Sequence, residues 1–197
     1  MKAPPCGDDA PIVRPRGSHA APHPPAADPA RPGCAVTLRR ADANDAANLA
    51  ALGALVWLHT YSTDGINASL AGYVLGRFTV KAKQVLLADP QHEVWLAERD
   101  GQLLGYATLH HGQACPGQHA ARCELATLYV HPLFAGQGLG RQLLQHAQHR
   151  AGALWLSVWQ HNTRAIAFYQ AQRLQHVGDT VFELDGHAHR NLLLALG

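Results

Sequence analysis

Hydrophobic and polar positions along the chain fall into segments of changing period, and the changes mark out the elements. "AVTLRRA" (35–41) reads as a first strand, and "DANDAANLAALGALVWLHTY" (42–61) as a helix with Asp42 and Asp45 as N-cap candidates. "NASLAGYVLGRF" and "TVKAKQVLLADP" read as one or two further helices, stopped before Pro90. In "EVWLAERDGQLLGYATLHHG" (93–112) two apolar strands flank Asp100-Gly101, a hairpin turn signal. "RCELATLYV" (122–130) alternates, which puts Glu124, Ala126, Leu128 and Val130 on one face and Cys123, Leu125, Thr127 and Tyr129 on the other. Leu139, Leu143, Leu144 and Ala147 then recur at helical spacing, giving a helix that runs to about Gly152. "ALWLSVW" (153–159) is a buried-type strand, "NTRAIAFYQAQ" (162–172) a helix with Asn162 as N-cap, and "HVGDTVFELDGHAHRNLLLAL" (176–196) a closing hairpin around Asp185-Gly186. The predicted order is β-α-α-β-β-β-α-β-α-β-β: a mixed α/β chain with helices on both faces of a sheet.

The first 35 residues break this patterning. They hold nine of the chain's twelve prolines, with many alanines, and such a segment buries too little apolar surface to offset its ordering entropy. Residues 1–35 are therefore expected to be a disordered tail, and 36–197 the folded domain. Arg14, Arg16 and Arg31 in the tail are balanced by Asp8, Asp9 and Asp28, which makes a poor nucleic-acid arm. The whole chain carries a net charge of +2, so neither a nucleic-acid nor a membrane partner is expected. No run approaches the roughly 20 apolar residues of a membrane helix, and the start lacks a signal-like apolar block. The four cysteines form no CxxC pair, so free thiols and a cytoplasmic location are expected. "HHGQACPGQHAARC" (110–123) gathers His110, His111, Cys115, His119 and Cys123, but without a recognised zinc spacing, and no metal is expected.

The unusual stretch is "YVHPLFAGQGLGRQLL" (129–144), where a strand runs into Gly136, Gly138 and Gly140 at the start of a helix. Helix N-termini offer unpaired amides and partial positive charge, and glycines let an anion approach them closely. A phosphate-binding P-loop would need Lys-Ser or Lys-Thr after the glycines, and the dinucleotide fingerprint GxGxxG fails on spacing. On the glycines alone, a plain tight turn stays open beside an anion site.

At this point the chain resembles the GCN5-related N-acetyltransferases, whose acetyl-CoA loop reads Arg/Gln-x-x-Gly-x-Gly/Ala after a strand often ending "YVHP". Here "LYVHPLFAGQGLGRQLL" places Gly138 and Gly140 in the two small-residue positions and Ala135 in the Arg/Gln position, a departure. A second signature, Asn-x-x-Ala-x-x-Phe-Tyr, is matched by Asn162, Ala165, Phe168 and Tyr169; the Gly-Phe that usually follows is Arg173-Leu174 here. The resemblance spans residues 36–197 and leans toward a bacterial branch that includes spermidine/spermine acetyltransferases. It implies the acyl-CoA N-acyltransferase fold: a central, mostly antiparallel mixed sheet of about seven strands flanked by about four helices.

What the resemblance implies chemically is acetyl transfer from acetyl-CoA, as co-substrate, to a primary amine by direct attack in a ternary complex. Tyr169 matches the family's general-acid tyrosine, and Glu124 is the candidate base on its strand; a core tyrosine and a solvated glutamate are the alternatives. Cofactor contacts are expected from the main chain at Leu128, Tyr129 and Val130, from Gly136, Gln137, Gly138, Leu139, Gly140 and Arg141, and from Asn162. Gln137 and Arg141 are both open as substitutes for the missing Arg/Gln. Trp57, His59, Tyr61 and Asp64 end the first helix, where the family builds its acceptor pocket, although Trp57 also suits a core. The acceptor is expected to be a small amine, such as a polyamine, with protein N-termini or lysines as the alternative, and a catalytically silent CoA-binding domain as another. The closing hairpin is a candidate homodimer contact.

Overall fold

A computed structural model describes residues 35–184 and 187–196, the side chains of Phe182, Leu184 and His187 excepted. The expected tail, apart from Ala35, and the Asp185-Gly186 turn lie outside the described residues. The elements are β1 (Thr37–Arg40), α1 (Ala46–Tyr61), α2 (Ala68–Arg77), α3 (Val80–Ala88), β2 (His92–Arg99), β3 (Gln102–His111), β4 (Cys123–Val130), α4 (Leu139–Ala151), β5 (Leu154–Trp159), α5 (Thr163–Ala171), β6 (Gln175–Leu184) and β7 (His187–Leu196). The stretch read as one or two helices is two, because each has its own cap. The Asn67 side chain accepts from Leu70 N at 2.8 Å, and the Thr79 hydroxyl from Ala82 N at 3.1 Å. That makes five α-helices rather than about four.

The two N-cap candidates of the first helix divide the work. Asp42 caps a short 3₁₀ turn (Ala43–Asp45) that leads into α1, and Asp45 returns a bond to the Asp42 amide at 2.8 Å. Asp45 is buried, and its charge is met by Arg39, which also holds Glu98; both contacts are 2.7 Å. The start of α1 is thereby locked to β1 and β2. In the predicted hairpin turn, Asp100 and Gly101 take φ of 52° and 73°, the left-handed pair that a two-residue turn requires.

The seven strands form one sheet in the order β1-β2-β3-β4-β5-β7-β6. Every neighbouring pair is antiparallel except β4 and β5, which the α4 crossover makes parallel. One face of the sheet packs on α4 and α5: Leu143, Leu144 and Tyr169 meet Leu109, Leu125 and Leu156. On the other face Leu49 and Leu52 of α1 meet Val94, Leu96 and Tyr106. Helices α1 to α3 cover that second face over β2–β4; further along, Ser157, Trp159 and Asn191 of β5 and β7 look into a groove instead.

One irregularity sets the site. Leu125 and Thr127 of β4 pair with the adjacent β3 residues Leu109 and Thr108, so Ala126 is an extra residue, a β-bulge. The bulge reverses the alternation expected for this strand. Leu128 and Val130 join Cys123 and Leu125 on the α4–α5 side, while Glu124 joins Thr127 and Tyr129 toward the groove.

Candidate active site

After β4 the chain passes a 3₁₀ turn (Pro132–Phe134) and reaches the glycines. Gly136 and Gly138 take φ of 81° and 83°, and a Cβ at either would meet nothing within 4 Å. Backbone conformation, not crowding, demands glycine there, and the space above the turn is open. Gly138 is the N-cap of α4 and brings no capping side chain. The first helical bond runs from Gln142 N to Gly138 O at 3.0 Å, so the amides of Leu139, Gly140 and Arg141 have no acceptor among the described residues. They form the positive end of the helix dipole. Gly140 serves differently: a Cβ there would lie 3.4 Å from the Phe168 ring, so α4 starts in contact with α5.

Strands β4 and β5 bridge only at Glu124 and Trp155. Beyond that bridge they part, and a cavity of about 160 Å³ opens between them, walled by residues that include Leu128, Tyr129, Val158, Asn162 and Tyr169. The β5-facing main chain of β4 is thus left without a ladder partner past the bulge, an edge that an extended chain can pair with. Asn162 caps α5, its side-chain oxygen accepting from Ala165 N at 3.1 Å. Tyr169 is buried on the next two turns of that helix, and burial, helped by nearby Tyr61, pushes its phenol well above the ordinary tyrosine range. It keeps its proton at any working pH.

On the other side of β4 lies the groove, with a volume of about 1270 Å³. Its aromatic wall is organised by Trp57, which stacks on Tyr73 at 4.4 Å and donates its indole N–H to the Tyr129 hydroxyl at 2.6 Å. Glu124 opens into the groove half-buried, and burial raises its carboxyl pKa, with His110 pulling the other way. His110 is its register partner on β3; the His110 ring stacks on His92 at 4.1 Å, and His92 Nδ1 lies 3.0 Å from Asp89 Oδ2. A line of titratable groups therefore runs from the strand carboxylate along the groove floor to α3. The cleft and the groove share Trp57, Tyr61, Ala126, Thr127 and Tyr129 as walls, so they meet at the bulge.

The sequence-derived residues sort as follows. Leu128, Tyr129, Asn162 and Tyr169 gather in the cleft, and Glu124 faces the groove behind it. Val130 packs into the core below Gly140, and residues 136–141 form the turn beyond the cleft without lining either cavity. Of the four groups at the end of α1, Trp57 and Tyr61 line the groove; His59 and Asp64 are exposed and do not. The His/Cys-rich stretch is divided by strand alternation: His110 points to the groove, while His111 bonds Glu93 at 3.1 Å and sits 3.6 Å from the Cys123 sulfur on the opposite face. Among the described residues no three His, Cys, Asp or Glu come together to hold a metal. Burial, with Glu93 and Glu124 adding, pushes the Cys123 thiol up to about 11, so it is a poor nucleophile. Sequence reasoning missed His92, His110 as a groove residue, Lys83 and Ser157. They come from segments far apart in the chain, and only the strand order, which no local pattern encodes, brings them together.

Comparison with known proteins gives a consistent result. The chain is 36% identical over 101 residues to the peptidyl-lysine N-acetyltransferase YiaC of Escherichia coli, a match covering 51% of this chain and 60% of that protein. It is 34% identical over 95 residues to the N-alpha-acetyltransferase RimI of Mycobacterium tuberculosis, covering 47% and 58%. The chain thus spans less than two thirds of the length of these curated relatives. Among solved structures, the PaiA N-acetyltransferase of Thermoplasma acidophilum in complex with coenzyme A superposes with a TM-score of 0.62 at 18% identity, over 81% of this chain and 98% of that one. An acetyltransferase from Thermus thermophilus does so with a TM-score of 0.59 at 25% identity, over 83% and 98%. The family model described as acetyltransferase (GNAT) family matches residues 54–173, more than half of the chain and the part that holds the bulge, the glycine turn and α5. By that match the chain belongs to the GNAT family of acetyltransferases.

Proposed function

We propose that the protein is an acetyl-CoA-dependent N-acetyltransferase acting on a primary amine by direct attack in a ternary complex. The observation that carries this is the meeting of two cavities at the β4 bulge, the cleft with buried Tyr169 on one side and the groove with Glu124 on the other. Two reactants entering from opposite sides would come together there. The free amides of Leu139, Gly140 and Arg141 suit the pyrophosphate, whose grip then rests on main chain plus Arg141, since Ala135 offers no charge. The unpaired edge of β4 suits the pantetheine arm, and an N–H in the span Leu128–Val130 suits the thioester oxygen.

The chemistry follows from proton balance. An amine of pKa near 10 is about one part in a thousand neutral at pH 7, roughly 4 kcal/mol uphill. Glu124, directly or through water, takes that proton, and the His110–His92–Asp89 line leads away from it along the groove. The nitrogen forms the new C–N bond, the C–S bond breaks, and the thiolate receives a hydrogen bond and then a proton from Tyr169, which is replaced by the second proton the nitrogen sheds as it becomes an amide. Because burial makes Tyr169 a weak acid, its contribution is greatest as a hydrogen bond to the developing thiolate. Tyr169→Phe is expected to lower kcat by about a hundredfold with acetyl-CoA affinity within a few-fold, read by release of CoA thiol and by calorimetry. Unchanged kcat would remove Tyr169 from the reaction. A catalytically silent CoA-binding domain is the second reading, which Ala135 favours; binding without thiol release across a panel of amines and peptides would select it. The same panel separates small-amine from peptide acceptors. The β6 edge of the closing hairpin is the surface proposed for a dimer.

A further inference from the structure

We propose that the acceptor carries an anionic group as well as its amine, and that Lys83 receives it at the α2–α3 wall of the groove. The proposal rests on the acetyltransferase reading and names the substrate class of that site. Three cationic side chains line the groove, Arg77, Lys81 and Lys83, against two carboxylates, Asp89 and Glu124. Asp89 is already engaged, and Glu124 is the base proposed for the amine. Asp89 bonds His92 at 3.0 Å and accepts from Gln91 N at 2.9 Å, and Glu124 stands in register opposite His110. Among the described residues none of the three cations lies within ion-pair distance of a carboxylate.

For Arg77 and Lys81, exposed on their helices, water is partner enough. Lys83 is different. It is half-buried, with its ammonium 5.2 Å above the Phe78 ring and 5.8 Å from the Tyr106 ring. Burial, reinforced by the positive charge of Arg77, lowers its pKa to about 8, so it is still mostly charged at pH 7. Ring faces offset part of the cost of withdrawing an ammonium from water, but an unpaired charge there is completed by an anion. With the amine at Glu124 on β4 and the anion at Lys83 on α3, the acceptor lies along the aromatic wall of Trp57, Tyr73 and Phe78. A polyamine in the same pose would press a second ammonium against Lys83, and the acidic Asp64 that could have received it is outside the groove. The fitting class is an amino acid-like molecule, a primary amine with a carboxylate or phosphate at its other end.

The test is the wild-type kcat/KM, by CoA thiol release, for a series of ω-amino carboxylates of increasing length. Each is compared with its carboxamide, the diamine and the aminoalkyl phosphate of the same length. At one or more lengths the carboxylate or the phosphate is expected to exceed the carboxamide and the diamine by at least tenfold, and which of the two leads distinguishes the anions. In Lys83→Met that ratio is expected to fall to near one, and in Lys83→Arg to persist, with acetyl-CoA affinity checking that both fold. Turnover with carboxamides or diamines as good as with the anionic amines, or a preference that survives Lys83→Met, would overturn the anion site and leave the acetyltransferase reading standing. Bound acetyl-CoA with no turnover of any amine would overturn both. The wild-type series needs no variant, so it decides even if Lys83→Met fails to fold.

Discussion

At the residue scale, environment assigns roles that residue type alone leaves open. Glu124 could be any surface glutamate in the sequence; half-buried and facing the groove, it is the proposed base, with a carboxyl pKa that burial raises above its ordinary value. A base works deprotonated, so the rate is expected to fall on the acid side as pH drops through that raised value. Glu124→Gln is expected to remove this acid limb and lower kcat/KM by about a hundredfold; a pH–rate profile that keeps the limb in the variant would assign it elsewhere. Arg173 makes a different point. Where relatives usually carry glycine it takes φ of 69°, and the chain still closes α5 there, with Leu174 N bonded to Tyr169 O at 3.1 Å. The fold keeps the left-handed cap and bears its strain. Arg173→Gly is therefore expected to stabilise the domain by about 1 kcal/mol, raising Tm by roughly 2–4 °C in a thermal melt. A lower Tm would mean that the arginine side chain contributes more than its backbone costs.

At the element scale, most of the fold could be read from pattern. Asp100-Gly101, the Asn162 cap and the leucine spacing of α4 are local signals, and each sits where the sequence puts it. The β4 bulge could not be read, because one extra residue in an eight-residue strand leaves the apolar and polar types almost unchanged. It nevertheless decides which residues share the face of Glu124: Thr127 and Tyr129 toward the groove, rather than Leu128 and Val130. The glycine turn is the opposite case: its sequence was conspicuous, and the geometry explains why. Valine at position 138 would have to adopt φ of 83°, at a cost of about 1–3 kcal/mol, and would tilt the amides of the turn. Gly138→Val is expected to weaken acetyl-CoA at least tenfold by calorimetry while circular dichroism stays that of the folded domain. Undiminished affinity would make the turn only a turn.

At the scale of the whole molecule, the candidate site exists because the sheet parts between β4 and β5, and because the helices of one face stop short of β5 and β7. Both features come from strand order, with β7 inserted between β5 and β6, and from the single parallel pair. Sequence resemblance reached the cleft residues, since the two motifs that carry it flank the cleft. It did not reach the groove wall of His92, His110 and Lys83, where the anion site is proposed. The most direct test of the account is an isothermal titration of the protein with acetyl-CoA. The expected result is saturable one-to-one binding in the micromolar range, displaced by CoA and not by ATP. The absence of binding at millimolar acetyl-CoA would contradict it.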